Sequence, residues 1–229
     1  MPRQQAPSAV IATPGFHGKV PSRGDFVSRR LPPGFAASWD EWLQRLIRAS
    51  RARLGSNWLA AWLEAPVWHF ALGAGVAGPA RCFGVLIPSV DRVGRHFPFT
   101  ILGLAQPGGV ALPHWALRAE ALALSALDDG FDPDRLEEEL ALLGAPGDPG
   151  PDPVGDLEDW LVAANPVVAA LAPGETLWRC RGTARVPAAL LRRQGLPDAD
   201  AAASLVAGPL TSSRPGTKPV DEATPLIQP

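Results

Sequence analysis

The sequence predicts an α/β fold: one three-layer α/β/α sandwich whose sheet is mixed and largely antiparallel, with helices on both faces. Three observations lead there. Helical and strand-like patterns interleave along the chain. Strand-like runs near its centre are joined by short connections, as antiparallel neighbours are. Two of those runs are apolar throughout, as strands covered on both faces are. A length of 229 residues allows one core of comfortable size. A single domain over 15–207 is therefore expected, between a flexible tail over 1–14 and a disordered tail over 208–229. Both tails are too poor in bulky apolar residues to offset the entropy of ordering.

The first element is a run without helical or strand periodicity, Gly15 to Pro32 (GFHGKVPSRGDFVSRRLP), where Gly, Pro and opposite charges crowd together. It reads as a shaped loop, and such loops carry function more often than cores do. Next, Trp39, Trp42, Leu43, Leu46 and Ile47 fall on one helical stripe, with Ser38 and Glu41 spaced as a capping box at its start. A second helix over Asn57 to Glu64 places Trp58, Leu59, Trp62 and Leu63 together, and Pro66 stops it.

Three strands follow. Val67 to Leu72 alternates Trp68, Phe70 and Leu72 against Val67, His69 and Ala71, whereas Cys82 to Ile87 and Phe99 to Ala105 are mostly apolar. Between the last two lies a second irregular run, Pro88 to Phe99 (PSVDRVGRHFPF). Pro113 to Leu127 reads as a buried helix led by Trp115. Another helix starts at Asp132 as N-cap with Pro133 at N1 and ends at Gly144. A Pro- and Gly-rich loop from Gly144 to Asp156 precedes a helix with Leu157, Trp160 and Leu161. Strands over Thr176 to Arg181 and Val186 to Arg192, and a helix from Asp198 to Ala207, complete the domain.

The composition excludes several functions. A formal charge of -2 supplies no global basic field, so nucleic acid is not expected as a partner. No window approaches the ~18 apolar residues of a membrane span, and the N-terminus lacks an export signal, so a cytoplasmic protein without membrane insertion is expected. Cys82 and Cys180 stand apart in apolar stretches and read as buried reduced thiols. His17, His69, His96 and His114 show no metal-ligand spacing, and Gly18-Lys19 lacks the remainder of a phosphate-binding loop. Ser22, Ser89 and Cys82 lack the context of a catalytic nucleophile. No catalytic residue, metal or cofactor is expected. His69 reads as a satisfied, half-buried strand residue. The eight tryptophans, set against no tyrosine, read mostly as core, with one on a rim as the alternative.

The charged groups of the two irregular runs remain: Lys19, Arg23, Asp25, Arg29 and Arg30 in the first, and Asp91, Arg92, Arg95 and His96 in the second. If the runs lie side by side, Asp25 and Asp91 can each pair with an arginine of the other run. These groups then either hold the loops in place or leave arginines, Arg92 or Arg95 above all, to grip an acidic or phosphorylated partner. The candidate partner-binding set is therefore Lys19, Arg23, Asp25, Arg29, Asp91, Arg92 and Arg95.

The same two runs carry a resemblance. Gly15, Phe16, Gly18, Lys19, Pro21, Gly24, Asp25, Phe26 and Val27, then Ala65 to Trp68, then Pro88 to Arg95 with Phe97 and Pro98, resemble the N-terminal region of the TagF (ImpM) family. Scattered features follow at Leu177-Trp178 and Gly195-Leu196-Pro197. The resemblance implies the same three-layer arrangement and a cytoplasmic accessory protein of bacterial type VI secretion. It further implies a post-translational repressor that acts by binding type VI secretion proteins, a forkhead-associated scaffold protein among them, with no catalytic residues. Two other readings stand beside it: a structural subunit of the secretion apparatus, and a hydrolase using Asp25 or Asp91 as base.

Overall fold

A computed structural model describes residues 13–31, 34–105, 113–147 and 167–208. In chain order the elements are β1 (Gly15–Gly18), β2 (Val27–Arg29), α1 (Phe35–Leu54), a 3-10 turn (Gly55–Asn57), α2 (Trp58–Leu63), β3 (Trp68–Leu72), β4 (Cys82–Ile87) and β5 (Phe99–Leu104). There follow α3 (Pro113–Ser125), α4 (Pro133–Leu143), β6 (Glu175–Cys180), β7 (Ala189–Gln194) and α5 (Ala199–Ala207). The expected helix with Leu157, Trp160 and Leu161 lies outside the described residues, as do nearly all of both expected tails.

The strands form one sheet in the order β2-β1-β5-β4-β3-β6-β7. Every pairing in it is antiparallel. This corrects the expected fold class: the described strands make an antiparallel sheet with helices, not the mixed sheet of an α/β three-layer sandwich. The reason lies in the connections. A parallel pair needs a crossover helix between sheet neighbours. Here α1 and α2 join β2 to β3, and α3 and α4 lie between β5 and β6, and neither pair of strands is adjacent. Interleaved helices and strands in a sequence do not reveal that non-adjacency.

Strand alternation divides the core. Phe83, Val85 and Ile87 of β4 join Phe99, Ile101, Trp115, Ala119 and Leu140 in one cluster. Leu86 and Cys82 join Trp68, Phe70, Trp39, Trp42 and Leu205 in the other. The Trp39 ring lies 4.8 Å from Trp42 and 5.1 Å from Phe70, between centroids. Trp42 lies 5.1 Å from Trp178. Truncating a tryptophan so enclosed to Ala costs about 3–5 kcal/mol.

All seven described tryptophans are buried, so none of them anchors a rim. Each indole N–H has an acceptor, as burial requires. Trp42 donates to the Pro197 carbonyl at 2.8 Å, Trp68 to Leu205 at 2.8 Å, and Trp62 to Ser89 at 3.1 Å. These bonds tie the helices to distant segments. Cys82 and Cys180 are free and buried, as read from the sequence.

Two local readings change. The first irregular run contains two short strands, because Phe16 pairs with both Arg29 and Ile101. Gly18 is required there: its φ of 146° is strained for other residues, and a Cβ would strike the Pro98 backbone. Helix α1 begins at Phe35 after a left-handed Gly34, one turn before the capping box. Phe35 is itself buried against Trp39, at 5.0 Å, which extends the apolar stripe backwards. Ser38 donates to the Phe35 carbonyl and Glu41 pairs with Arg45. At α4 the reading holds, since the Asp134 N–H donates to Asp132 Oδ1 at 3.0 Å with Pro133 behind it.

Candidate functional site: a clamped pair of charged loops

The two irregular runs meet because β1 and β5 are sheet neighbours, so the segments that leave β1 and enter β5 start side by side. Val90 and His96 form an antiparallel bridge that closes the second run into a tight turn, with Gly94 at φ 84°. The Arg92 N–H donates to the Arg23 carbonyl at 3.0 Å, stitching the turn to the first run.

Asp91 is the centre of this junction. Its side chain is fully enclosed, and Lys19, also buried, donates to its Oδ2 at 2.6 Å. Arg95 Nε donates to the same oxygen at 2.6 Å. The backbone N–H groups of Val93 and Arg95 donate to Oδ1 at 3.0 and 2.8 Å. Burial by itself pushes the Asp91 carboxyl up. The hydrogen bonds from Lys19, Arg95 and Val93 outweigh it and hold the group far below the usual carboxylate range. A carboxylate stabilised this way is a poor proton acceptor at neutral pH, which argues against Asp91 as a catalytic base.

The remaining predicted residues separate. Arg95, besides binding Asp91, donates from Nη2 to the Gly24 carbonyl, so its guanidinium is committed to the clamp. Arg29 and Arg30 face α4 instead, with Arg30 Nε 2.7 Å and Arg29 Nε 3.5 Å from the Glu137 carboxylate. Arg23, Asp25 and Arg92 are exposed and, among the described residues, make no side-chain ion pair. The cross-loop partner of Asp91 is thus a lysine, and Asp25 has no such partner. Arg23, Asp25 and Arg92 border a cavity of about 280 Å³ together with Ser22 and Phe26.

A hydrophobic shell supports the junction. Phe26 stacks on His17 at 5.4 Å and meets Phe97 edge-on at 4.8 Å, and the Lys19 ammonium lies 5.1 Å from the Phe26 ring. Burial lowers the pKa of His17 against the pull of Asp40. His96 packs edge-on to Trp58 at 5.4 Å, and burial lowers its pKa, with Arg51 adding to the effect and Asp91 opposing it.

Sequence reasoning missed a second buried ionic cluster. Glu120 of α3 accepts from or donates to His69 Nε2 of β3 at 2.6 Å, according to protonation, and accepts from Arg181 on its other oxygen. His69 is buried outright, not half-buried. Burial lowers the His69 pKa, Glu120 opposes this, and Arg179 and Arg181 add to it. Arg179, on β6, is also buried, and desolvation lowers its pKa to about 10. The register pairs His69 with Arg179 directly. No sequence signal marks Glu120, which sits in an Ala/Leu run. Among the described residues no group of His, Cys, Asp and Glu is arranged to hold a metal ion. No described helix is long and apolar enough to cross a membrane.

Comparison with known proteins adds the family. No curated protein matches the chain. A crystal structure of PA0076 from Pseudomonas aeruginosa PAO1 is similar, with a TM-score of 0.69 and 34% identity over 94% of this chain and 100% of that one. The model of the TagF N-terminal domain, type VI secretion system-associated, matches residues 15–143, from β1 through α4. That span contains both clamped loops and covers more than half of the sequence, and on these grounds the chain belongs to the TagF family of type VI secretion system-associated proteins.

Proposed function

We propose that this chain is a non-enzymatic regulator of a bacterial type VI secretion system, a post-translational repressor that holds assembly or firing in check by binding a protein partner in the cytoplasm. The observation that carries the reading is the buried Lys19–Asp91 ion pair, which fixes two loops against each other while Arg23 and Arg92 remain exposed without ion pairs. Rigid loops lose little entropy on docking, so a preorganised pair of cations favours recognition. The buried, strongly ionised state of Asp91 speaks against hydrolysis at that residue. A forkhead-associated scaffold protein is the partner class that the family suggests.

The test is genetic and uses the secretion output. Deletion of the gene should raise secretion of type VI substrates, and overproduction should suppress it. Overproduction of the Arg23→Ala, Arg92→Ala double variant should fail to suppress while its thermal melt is unchanged, because both side chains are exposed. Unchanged or lowered secretion in the deletion strain overturns the repressor reading. Lowered secretion, with stoichiometric co-purification on the assembled apparatus, would assign a structural subunit instead.

A further inference from the structure

The cavity between the loops has a composition of its own. Its lining includes two arginines, Arg23 and Arg92, and one acidic residue, Asp25. Ser22 lines it too. Apolar surface flanks the site on both loops: Phe26 is 45% exposed and Val93 66% exposed. Exposed aromatic area beside a cationic pocket is the composition of a docking site, with an anchor for an apolar side chain and a fork for an anion.

The sign and size of the charge select the occupant. Two cations facing one carboxylate leave the lining short of one negative charge. The net attraction of this lining only doubles for a phosphate dianion, whereas the cost of stripping water from an ion grows with the square of its charge, so the single charge of a carboxylate is the better match. Resting on the repressor reading above, we infer that this cavity receives a glutamate or aspartate side chain from an acidic segment of the partner that carries an apolar residue beside it. Arg23 and Arg92 grip the carboxylate, and Phe26 and Val93 pack against the neighbouring apolar residue. The clamp at Lys19, Asp91 and Arg95 holds both arginines in place before the partner arrives.

The experiment uses the full chain, labelled with nitrogen-15 at arginine, and three peptides: acetyl-Leu-Glu-Gly-Glu-Leu-amide, its Gln-for-Glu counterpart, and one with phosphothreonine replacing the first Glu. Side-chain Nε–H resonances of Arg23 and Arg92 should shift saturably with the Glu peptide by about 10 mM, the weak end expected of so short a ligand. The Gln peptide should bind roughly tenfold more weakly or not at all, since it cannot form the charged fork. Arg23→Ala and Arg92→Ala should each weaken the Glu peptide about fivefold or more, and Asp25→Asn should tighten it by about threefold, the direction given by removing like charge. Equal binding of the Glu and Gln peptides, absence of shifts at both arginines, or weakening by Asp25→Asn overturns the inference. A phosphothreonine peptide bound more than about tenfold tighter overturns it in favour of phosphate recognition. Peptide binding with unchanged secretion in the deletion strain would sink the repressor reading alone, whereas raised secretion without peptide binding would sink this inference alone.

Discussion

Asp91 and Glu120 are both carboxylates removed from water and both held ionised by cationic neighbours, yet they are built in different ways. Asp91 accepts two backbone N–H bonds from its own turn and two side-chain bonds, so its ionisation shapes a loop. Glu120 is held by side chains alone, from His69 and Arg181, so its ionisation fastens helix α3 to the sheet. In the first region the backbone geometry depends on the charge. In the second the backbone is already fixed by the ladder, and the charge matches one element to another. Loss of each group should therefore differ in size and in pH range, and these differences test the comparison.

The largest effect belongs to Asp91→Ala. It leaves Lys19 buried without a counter-charge and leaves two turn N–H groups without an acceptor, a loss of about 3–5 kcal/mol. Thermal melts should show a drop of that size, and the Arg23 and Arg92 resonances should broaden as the turn loses its shape. Asp91→Asn keeps one acceptor oxygen for the two turn N–H groups but turns an amide NH2 toward Lys19 and Arg95, so it should retain more of the turn while still leaving the Lys19 charge unpaired. A near-neutral Asp91→Ala would mean the clamp is not what holds the loops.

Glu120→Ala comes next, at about 1–3 kcal/mol, the cost of leaving the His69 ring N–H unsatisfied in the interior. The loss is smaller than for Asp91 because Arg181 is partly exposed and regains water. Amide hydrogen exchange should rise along α3 and β3 while the loops at residues 19 and 91 stay protected. Equal loss of protection in both regions would show that the two clusters act as one unit.

The contrast also explains what the sequence displays. Lys19, Arg23, Asp25, Asp91, Arg92 and Arg95 were legible as a group because Gly, Pro and opposite charges crowd within short segments, where their effect is local. Helix α4 and its Asp132 cap were legible for the same reason. Glu120 was not, since its partners lie 51 and 61 residues away and only the sheet brings them together. The start of α1 was misplaced because Ser38 and Glu41 satisfy a local capping pattern that burial of Phe35 overrides. Strands β1 and β2 escaped notice because GFHG has no alternation, and its pairing with β5 spans the whole α1 to β4 stretch. The short connections among β3, β4 and β5 did mark their antiparallel pairing, whereas neighbours joined across long connections, β1 with β5 and β3 with β6, leave no local pattern.

pH separates the regions further. Asp91 has a depressed pKa in the fold, so its contribution is present above the unfolded carboxyl value near 4 and is lost as pH falls below it. His69 is also depressed, in its case because burial favours the neutral ring, so its contribution is present above about 6.5 and declines as pH falls below that value. Burial lowers His17 and His96 as well, so they share this window. Stability measured by urea unfolding should decline from pH 7 toward pH 5, with each such histidine adding at most about 1.4 kcal/mol per pH unit. His69→Gln should flatten that decline without altering the further loss below pH 4. A slope unchanged by His69→Gln would place the sensitivity on His17 and His96.

The smallest effect separates ornament from clamp within the loop region itself. Arg95 and Arg30 both pair with carboxylates, but Arg30 meets Glu137 where both partners are partly in water, whereas Arg95 meets a fully enclosed Asp91. Exposed pairs contribute about 0–1 kcal/mol, so Glu137→Ala should shift the melt by about 2–4 °C at most. Arg95 is 59% exposed, which places it near the same range. Its loss still leaves Asp91 with Lys19 and both turn N–H groups, so Arg95→Ala should cost about 1 kcal/mol, and salt should reduce even that. The decisive comparison is therefore kinetic rather than thermodynamic: Arg95→Ala also frees the Gly24 carbonyl, so the first loop should move faster on the microsecond to millisecond scale, while Glu137→Ala leaves it still. Relaxation dispersion at Gly24 and Arg23 in the two variants reads that difference, and equal dispersion in both would reduce Arg95 to a surface charge.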